Sequence, residues 1–425
     1  MQTFLILQAS IFILPLFPAL GELGLLWILI RIAISYFPKI INNPINKAWG
    51  ILSIWFILNS FLAYQPSEAF LGLANFLPFF ALFASLNIVI RYPWQLRRIS
   101  WLICIPTFPI VILGLGQLYL NWYSPALIKT ILGWELVSQG IPTGRMSSVF
   151  IYANFLAIYL AIAFIIGLGL WLDIWQNYAL KNRSYLLLLL SIILLADAAG
   201  LGLANSRNAW GITFLGFMGF AIYLSWYWLV SAVTAIGTAI LWASFGSFWG
   251  QKWLRKIVPI FIWGRLSDSM YPDRPIETLR ITQWEFCWSK IQENPIIGWG
   301  LRNYTPLYLE ATNFWFGHPH NLFLMLGMEI GIIASLVFCG IVAWILAQAI
   351  LLLHRRNQKP SQLVTASDRL ILFSYILAFI CCILFNLLDV TIFDLRINTL
   401  GWILLSAIYG VSQQLSQDFR SYSQR

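Results

Sequence analysis

Long apolar stretches recur along the whole chain, and polar residues are confined mainly to the connections between them. Each stretch holds about 20 residues, which is the length that a helix needs to cross a bilayer. The pattern therefore predicts an all-α integral membrane protein with about twelve transmembrane helices. The predicted spans are 3–20, 22–37, 48–63, 69–90, 99–120, 146–172, 184–203, 208–225, 227–246, 319–351, 369–388 and 397–413.

Some of these spans depart from a single straight crossing of the membrane. Pro15, Pro18 and Gly21 interrupt the first apolar region, so we predict a tight helical hairpin between the first two spans. The stretch 319–351 is longer than a bilayer requires, and we expect it to tilt or to extend beyond the membrane.

Positive charge lies mainly in alternate connections. The net charge of +10 therefore orients a membrane protein and does not indicate nucleic-acid binding. Because cytoplasmic connections are rich in Lys and Arg, both termini are predicted to be cytoplasmic. The residues that carry this signal are Lys39, Lys47, Arg91, Arg97, Arg98, Lys181, Arg183, Arg355, Arg356, Lys359, Arg369, Arg420 and Arg425.

This orientation divides the chain into four parts. We predict nine spans over 1–246, a large extracytoplasmic loop over 247–318, three spans over 319–413 and a cytoplasmic tail over 414–425. The large loop contains an amphipathic pattern near 277–293, whose Trp-rich stripe is typical of a helix at the membrane interface. The stripe consists of Ile281, Trp284, Trp288 and Ile291. The five cysteines predict no disulfide framework, because four of them lie inside apolar stretches.

Several arginines fall on the predicted outer side. Guanidinium groups keep their charge where water is scarce and bind phosphate oxygens in pairs, so these residues are candidates for holding a lipid diphosphate. The ordinary alternative is an arginine that reaches lipid headgroups or water. The candidates are Arg145, Arg207, Arg265 and Arg280.

A histidine pair opens the tenth predicted span, in the order His318-Pro319-His320-Asn321. A histidine near neutral pKa can take a proton from an acceptor hydroxyl, and Asp389 is a candidate to orient it. A metal site is the less favoured alternative, because the chain has only three histidines and lacks an H-E-x-x-H pattern. We predict no metal ion. A purely structural role at the start of a helix is a further alternative for either histidine.

Three motifs that follow one another along the chain resemble those of the O-antigen ligase and polymerase family, over about 145–331. The first is a Ser-Arg pair that opens a middle span, and the second is an arginine–tryptophan block followed by a proline–glycine turn. The third is a His-Asn pair that is followed by a leucine and a glycine. They are carried by Ser206-Arg207, by Arg280, Trp284, Pro295, Gly298, Gly300 and Tyr304, and by His320, Asn321, Leu324 and Gly331.

The resemblance implies a GT-C-like membrane glycosyltransferase that is inverting and independent of metal and other cofactors. An undecaprenyl diphosphate-linked glycan would be the donor, held by Arg207, Arg280 and Arg145 or Arg265. His320 would be the general base, with His318, Asn321 and Asp389 in supporting roles.

The resemblance also implies the bacterial inner membrane as location, with the site facing the periplasm. The acceptor stays open between another glycan, lipid A core and a protein hydroxyl, and so does the choice between ligase and polymerase. A transporter or transport accessory protein is the alternative from a different class, with Asp197 as its intramembrane ionisable candidate. A scaffold without catalytic activity is a further alternative.

Overall fold

The computed structural model describes residues 2–177, 180–247, 250–267, 275–354 and 365–423. Every regular element in these ranges is helical. Eight helical segments have the length and hydropathy to cross a membrane, so the all-α membrane fold is confirmed, whereas the count of twelve spans stays a prediction. These segments are Pro18–Asn42, Pro66–Val89, Pro93–Tyr119, Ala153–Asn177, Arg183–Ala204, Tyr227–Phe245, Ile332–His354 and Ala366–Phe385.

The helices follow one another with short connections over most of the chain. Two short 3-10 helices, Leu73–Asn75 and Ile276–Thr278, complete them. The α-helices are α1 Gln2–Ile13, α2 Pro18–Asn42, α3 Pro44–Phe61, α4 Pro66–Gly72, α5 Leu77–Val89, α6 Pro93–Cys104, α7 Thr107–Tyr119, α8 Ala126–Leu132, α9 Ala153–Asn177, α10 Leu180–Ala204, α11 Arg207–Tyr223, α12 Tyr227–Phe245, α13 Gln251–Ile257, α14 Ile260–Leu266, α15 Arg280–Glu293, α16 Tyr304–Thr312, α17 Leu322–Ile330, α18 Ile332–His354, α19 Ala366–Phe385 and α20 Leu395–Ser423.

Helix α9 lies at the centre of the bundle. It packs against α6, α10, α11 and α19, and 78% of its most apolar window is buried. Helices α2, α12 and α18 are mostly exposed despite their apolar sequences, with 22%, 11% and 22% of their windows buried. Apolar side chains that point outward all round a bundle are stable against lipid rather than water, and the fold therefore fits a multi-pass membrane protein.

The helices differ from the predicted spans in four places. The first helix ends at Ile13 and Pro18 opens α2, because proline is favoured in the first turn of a helix, where its missing N–H costs nothing. The predicted span 146–172 becomes helical only at Ala153. The predicted span 319–351 consists of two helices that meet at Gly331. Helix α20 continues to Ser423, well past the predicted end at 413.

The helix predicted near 277–293 is α15, and its apolar stripe is divided. Ile291 is buried and Trp284 is half-buried, whereas Ile281 and Trp288 are exposed. Gln283 and Cys287 instead complete the buried face. The stripe therefore contributes one edge to the packing against α17 and leaves the other edge open.

The connections that carry the sequence motifs meet at one end of the bundle. Trp134 of the 120–152 connection donates to the carbonyl of Leu16, and Tyr64 N–H donates to the carbonyl of Trp299. This end, the loop end, is formed by the described residues of the connections 120–152, 246–321 and 386–394. The opposite end contains the connection 90–92 and the start of α19.

Candidate functional site

The two histidines and Asp389 form a compact cluster at the loop end. His320 Nδ1 lies 3.4 Å from Asp389 Oδ1, and His318 Nε2 lies 3.8 Å from the same oxygen. The side chain of Asp389 is 5% exposed, whereas that of His320 is 28% exposed. The buried carboxylate thus lies beneath two histidine rings, and the ring of His320 is open to the solvent side.

The two histidines differ in how their nitrogens are used. The backbone N–H of His320 donates to His318 Nδ1 over 3.2 Å. His318 Nδ1 is therefore an acceptor, and the ring proton lies on Nε2, which faces Asp389. His320 directs Nδ1 toward Asp389, and its Nε2 makes no hydrogen bond within the described part of the chain. Of the two, His320 is the more accessible to a substrate, with a side chain that is 28% exposed against 18% for His318.

The local backbone fixes His320 in an unusual conformation. Its φ of 54° lies in the left-handed region, which is costly for a residue with a side chain. The next residue, Asn321, caps α17: its side-chain oxygen accepts from the N–H groups of Phe323 and Leu324, each at 3.0 Å. Leu322 N–H donates to the carbonyl of Asn386. The cap and this bond together hold the histidine turn against the turn that contains Asp389.

Two motif glycines explain why α17 ends where it does. A Cβ at Gly331 would lie 1.9 Å from the carbonyl oxygen of Ile296, and one at Gly298 would lie 2.6 Å from that of Glu329. Both residues also have positive φ, of 82° and 78°. Glycine at both positions adopts the positive φ without strain and has no side chain that would clash. The 294–300 turn can therefore pack directly on the α17–α18 junction. This packing sets the position of α17 and of the histidines before it.

The second oxygen of Asp389 begins a chain of polar contacts that reaches Arg145. Asn154 Nδ2 donates to Asp389 Oδ2 over 2.7 Å. Arg145 Nη2 donates to Asn154 Oδ1 over 2.6 Å, and Arg145 Nε donates to the carbonyl of Ala204 over 2.9 Å. A continuous path therefore joins His320, Asp389, Asn154 and Arg145. Sequence reasoning missed Asn154, since a single asparagine at a helix start belongs to no motif.

Burial and the neighbouring polar groups have opposite effects on the pKa values of Asp389 and His318. Burial raises the pKa of Asp389, but contacts with His320 and His318 and the N–H of Val390 outweigh it and hold the pKa below its usual value. Burial lowers the pKa of His318 to about 4, against the attraction of Asp389 and with help from His320 and Arg280. His318 is thus neutral at pH 7 and Asp389 is ionised.

Arg280 and Arg207 each begin a helix, and Arg280 has a charge interaction with the cluster. Arg280 opens α15 and is close enough for its charge to lower the pKa of His318. Trp284, one turn further, donates through Nε1 to the carbonyl of Pro319 between the two histidines. Arg207 opens α11, three residues after the carbonyl of Ala204 that Arg145 binds.

The fourth predicted arginine is not placed at the cluster. Arg265 belongs to α14, but its side chain lies outside the described residues. It stays a sequence-based candidate.

The cluster also has the composition of a small metal site. One ligand atom from each of His318, His320 and Asp389 lies within 4.8 Å of the others. Three such atoms can surround one divalent ion at bond lengths of about 2.0–2.2 Å after small rotations of the rings. The same contacts are expected where a carboxylate orients a histidine directly, without a metal ion. The prediction of no metal therefore stays a prediction that chelation can test.

Together these residues combine two chemical abilities. An accessible histidine nitrogen supported by an ionised carboxylate can accept a proton. Arginines beside it can stabilise negative charge on a phosphate group.

A known protein family matches part of the chain. The family model described as Wzy_C, O-antigen ligase, matches residues 189–339. The matched region includes Arg207, Arg280, His318 and His320, and the family prediction made from the motifs is confirmed. No curated protein matches the chain.

Proposed function

We propose that this chain, whose residues 189–339 belong to the O-antigen ligase family, is a membrane glycosyltransferase that moves a glycan from undecaprenyl diphosphate to an acceptor hydroxyl. The donor and acceptor meet at the loop end, which faces the periplasm in the orientation predicted from the Lys and Arg distribution. The protein lies in the bacterial inner membrane with both termini in the cytoplasm. Its multiple apolar helices support this location.

His320 is the general base of the transfer. Asp389 holds the Nδ1 side of the ring, so Nε2 takes the proton of the acceptor hydroxyl as its oxygen attacks the anomeric carbon. The new bond joins acceptor oxygen to that carbon on the face opposite the leaving group, and the configuration inverts. The bond between the carbon and the diphosphate oxygen breaks, and its electron pair leaves with undecaprenyl diphosphate. The step balances without a metal ion or a cofactor.

The arginines stabilise the leaving group. Negative charge grows on the diphosphate as the bond to the sugar breaks, and cations fixed in advance at that point lower the barrier. Arg280 and Arg207, at the starts of two helices, and Arg145, at the end of the polar chain from Asp389, are the residues assigned to this role. Arg265 is a fourth candidate on the basis of the sequence alone.

The observation that carries this proposal is the different engagement of the two histidines. His318 accepts a hydrogen bond on Nδ1, has Nε2 3.8 Å from Asp389 and is 18% exposed, whereas His320 is 28% exposed and offers Nε2. O-antigen ligation and glycan polymerisation use the same base and the same leaving group. Both therefore remain within the proposal, with a glycan, lipid A core or a protein hydroxyl as acceptor.

The test measures the pool of lipid-linked glycan in a deletion strain that lacks the protein. The same strain is complemented with wild type, His320→Ala or His354→Ala. His354 is an exposed histidine at the far end of α18 and serves as a matched control. We expect the pool to build up in the deletion strain and with His320→Ala, and to be cleared by wild type and by His354→Ala. A pool that stays constant in all strains, with altered solute uptake, would instead favour transport and the buried Asp197 in α10.

A further inference from the structure

A large cavity opens at the end of the bundle opposite the candidate site. Its volume is about 1080 Å³, and α2, α3, α18 and α20 contribute to its walls together with the end of α5. Helix α2 departs from helical geometry at Tyr36, shortly before Pro38, and the turn after this kink faces the cavity. Proline inside a helix removes a hydrogen bond and produces such kinks. The cavity is separated from the histidine cluster by the length of the helices.

One side of this cavity is cationic. Lys39 and Arg91 both line it and their like charges interact, and no carboxylate lines it among the described residues. Arg91 Nη2 donates to the neutral side chain of Gln417 over 3.3 Å. Neither cation has an ion-pair partner in the part of the chain that the structure describes. Two like charges that line one cavity without a carboxylate favour the binding of an anion there.

The wall of the cavity formed by α18 is mainly apolar. Val337, Ile341 and Trp344 line one wall, and Gln348 lies at its polar end. At about 1.5 Å rise per residue, the stretch from Val337 to Gln348 runs for roughly 16 Å along the helix axis. Val337 and Trp344 are 45% and 57% exposed. A free phosphate ion would gain nothing from this wall, whereas an acyl chain below a phosphate headgroup would lie along it.

We infer that this cavity binds the headgroup of an anionic membrane phospholipid, with its phosphate between Lys39 and Arg91 and an acyl chain against α18. In the predicted orientation this end faces the cytoplasm, where anionic lipids attract basic groups near the membrane. The site is separate from the proposed transfer reaction. The ordinary role of Lys39 and Arg91, orienting the chain by their charge, requires no cavity and no apolar wall.

The experiment titrates the purified, delipidated full chain in detergent with phosphatidylglycerol or phosphatidylcholine and counts bound lipids by native mass spectrometry. Wild type is expected to bind one phosphatidylglycerol more tightly than phosphatidylcholine. Lys39→Gln/Arg91→Gln should weaken that binding roughly thirtyfold, because two cations near an anionic headgroup are lost. Lys47→Gln removes an exposed charge at the same end that does not line the cavity, and it should bind like wild type.

Two further arms separate a lipid from a free anion. Trp344→Ala should weaken phosphatidylglycerol binding, and inorganic phosphate at millimolar concentration should fail to displace the lipid. Equal binding of both lipids, an unchanged double variant, or displacement by inorganic phosphate would each overturn the inference. The substituted side chains of Lys39 and Trp344 are exposed and that of Arg91 is half-buried, and elution as a single species by size exclusion checks that each variant is folded.

Discussion

Charged residues gather at both ends of the bundle, but they are arranged differently. At the opposite end, Arg97 bonds Asp173 at 2.9 Å and Asp368 at 2.8 Å, and it also donates to Ser367. One cation thus satisfies two carboxylates and ties α6 to α9 and α19. At the loop end, a single buried carboxylate serves two histidines, and Arg145 donates to two neutral acceptors. The first arrangement stabilises the fold, and the second places a partly exposed histidine beside a carboxylate, as proton transfer requires.

After the loss of His320, the largest effect on transfer is expected from changing the loop-end arginines. Arg280→Lys and Arg145→Lys keep the charge but lose paired hydrogen bonding to phosphate, so kcat/KM for transfer should fall roughly 10- to 100-fold. Arg302→Lys is the matched control, because Arg302 is 42% exposed and pairs with Glu68. Purified variants with donor and acceptor glycans provide the measurement. Equal losses at all three positions would show that the effect is not specific to the site.

At the opposite end, the expected effect is on stability. Arg97→Gln leaves the buried Asp173 without its cation, which should lower the free energy of unfolding by about 3 kcal/mol. Thermal unfolding in detergent measures this loss. The transfer rate per folded molecule should stay near that of wild type. A variant that is stable but inactive would contradict the division between the two ends.

A smaller effect is expected from pH. Burial lowers the pKa of His318 to about 4, against about 6.5 in an unfolded chain. Below pH 6.5 the unfolded chain therefore binds more protons than the folded one, and stability falls as the pH drops toward 4. At pH 5 the loss should be about 2 kcal/mol relative to pH 8. His318→Asn should remove this part of the pH dependence, and a pH dependence identical to wild type would show that His318 is not its source.

Metal removal should have the smallest effect. If Asp389 orients His320 directly, treatment with a strong chelator should change the transfer rate less than about twofold. A rate that collapses and returns when a divalent cation is added would instead mean that His318, His320 and Asp389 hold an ion.

Much of the fold follows from hydropathy, whereas the exact boundaries depend on long-range contacts. Apolar character continues across Gly331, so the sequence pattern shows one span there. The break arises because the 294–300 turn occupies the backbone groups at the junction: Trp299 and Gly300 donate to the carbonyls of Met328 and Glu329. Hydropathy contains no information on such contacts.

The site was predictable to a similar extent. The sequence offered His320 and Asp389 as candidates, but they are 69 residues apart and no pattern shows that they meet. Only the packing of the α17 start against the turn after α19 brings them together, through the bond from Leu322 to Asn386. Asn154 has no sequence signal at all, because its role depends on being between Asp389 and Arg145.

The most direct test of the account is a double-mutant cycle on the His320–Asp389 pair. The transfer rate of purified enzyme is measured for His320→Ala, Asp389→Asn and the double variant, each checked for folding. The account predicts a loss of about 10²–10⁴ for His320→Ala, a smaller loss for Asp389→Asn, and a double variant no slower than His320→Ala, since Asp389 acts through His320. Full activity of His320→Ala, or losses that simply add, would contradict it.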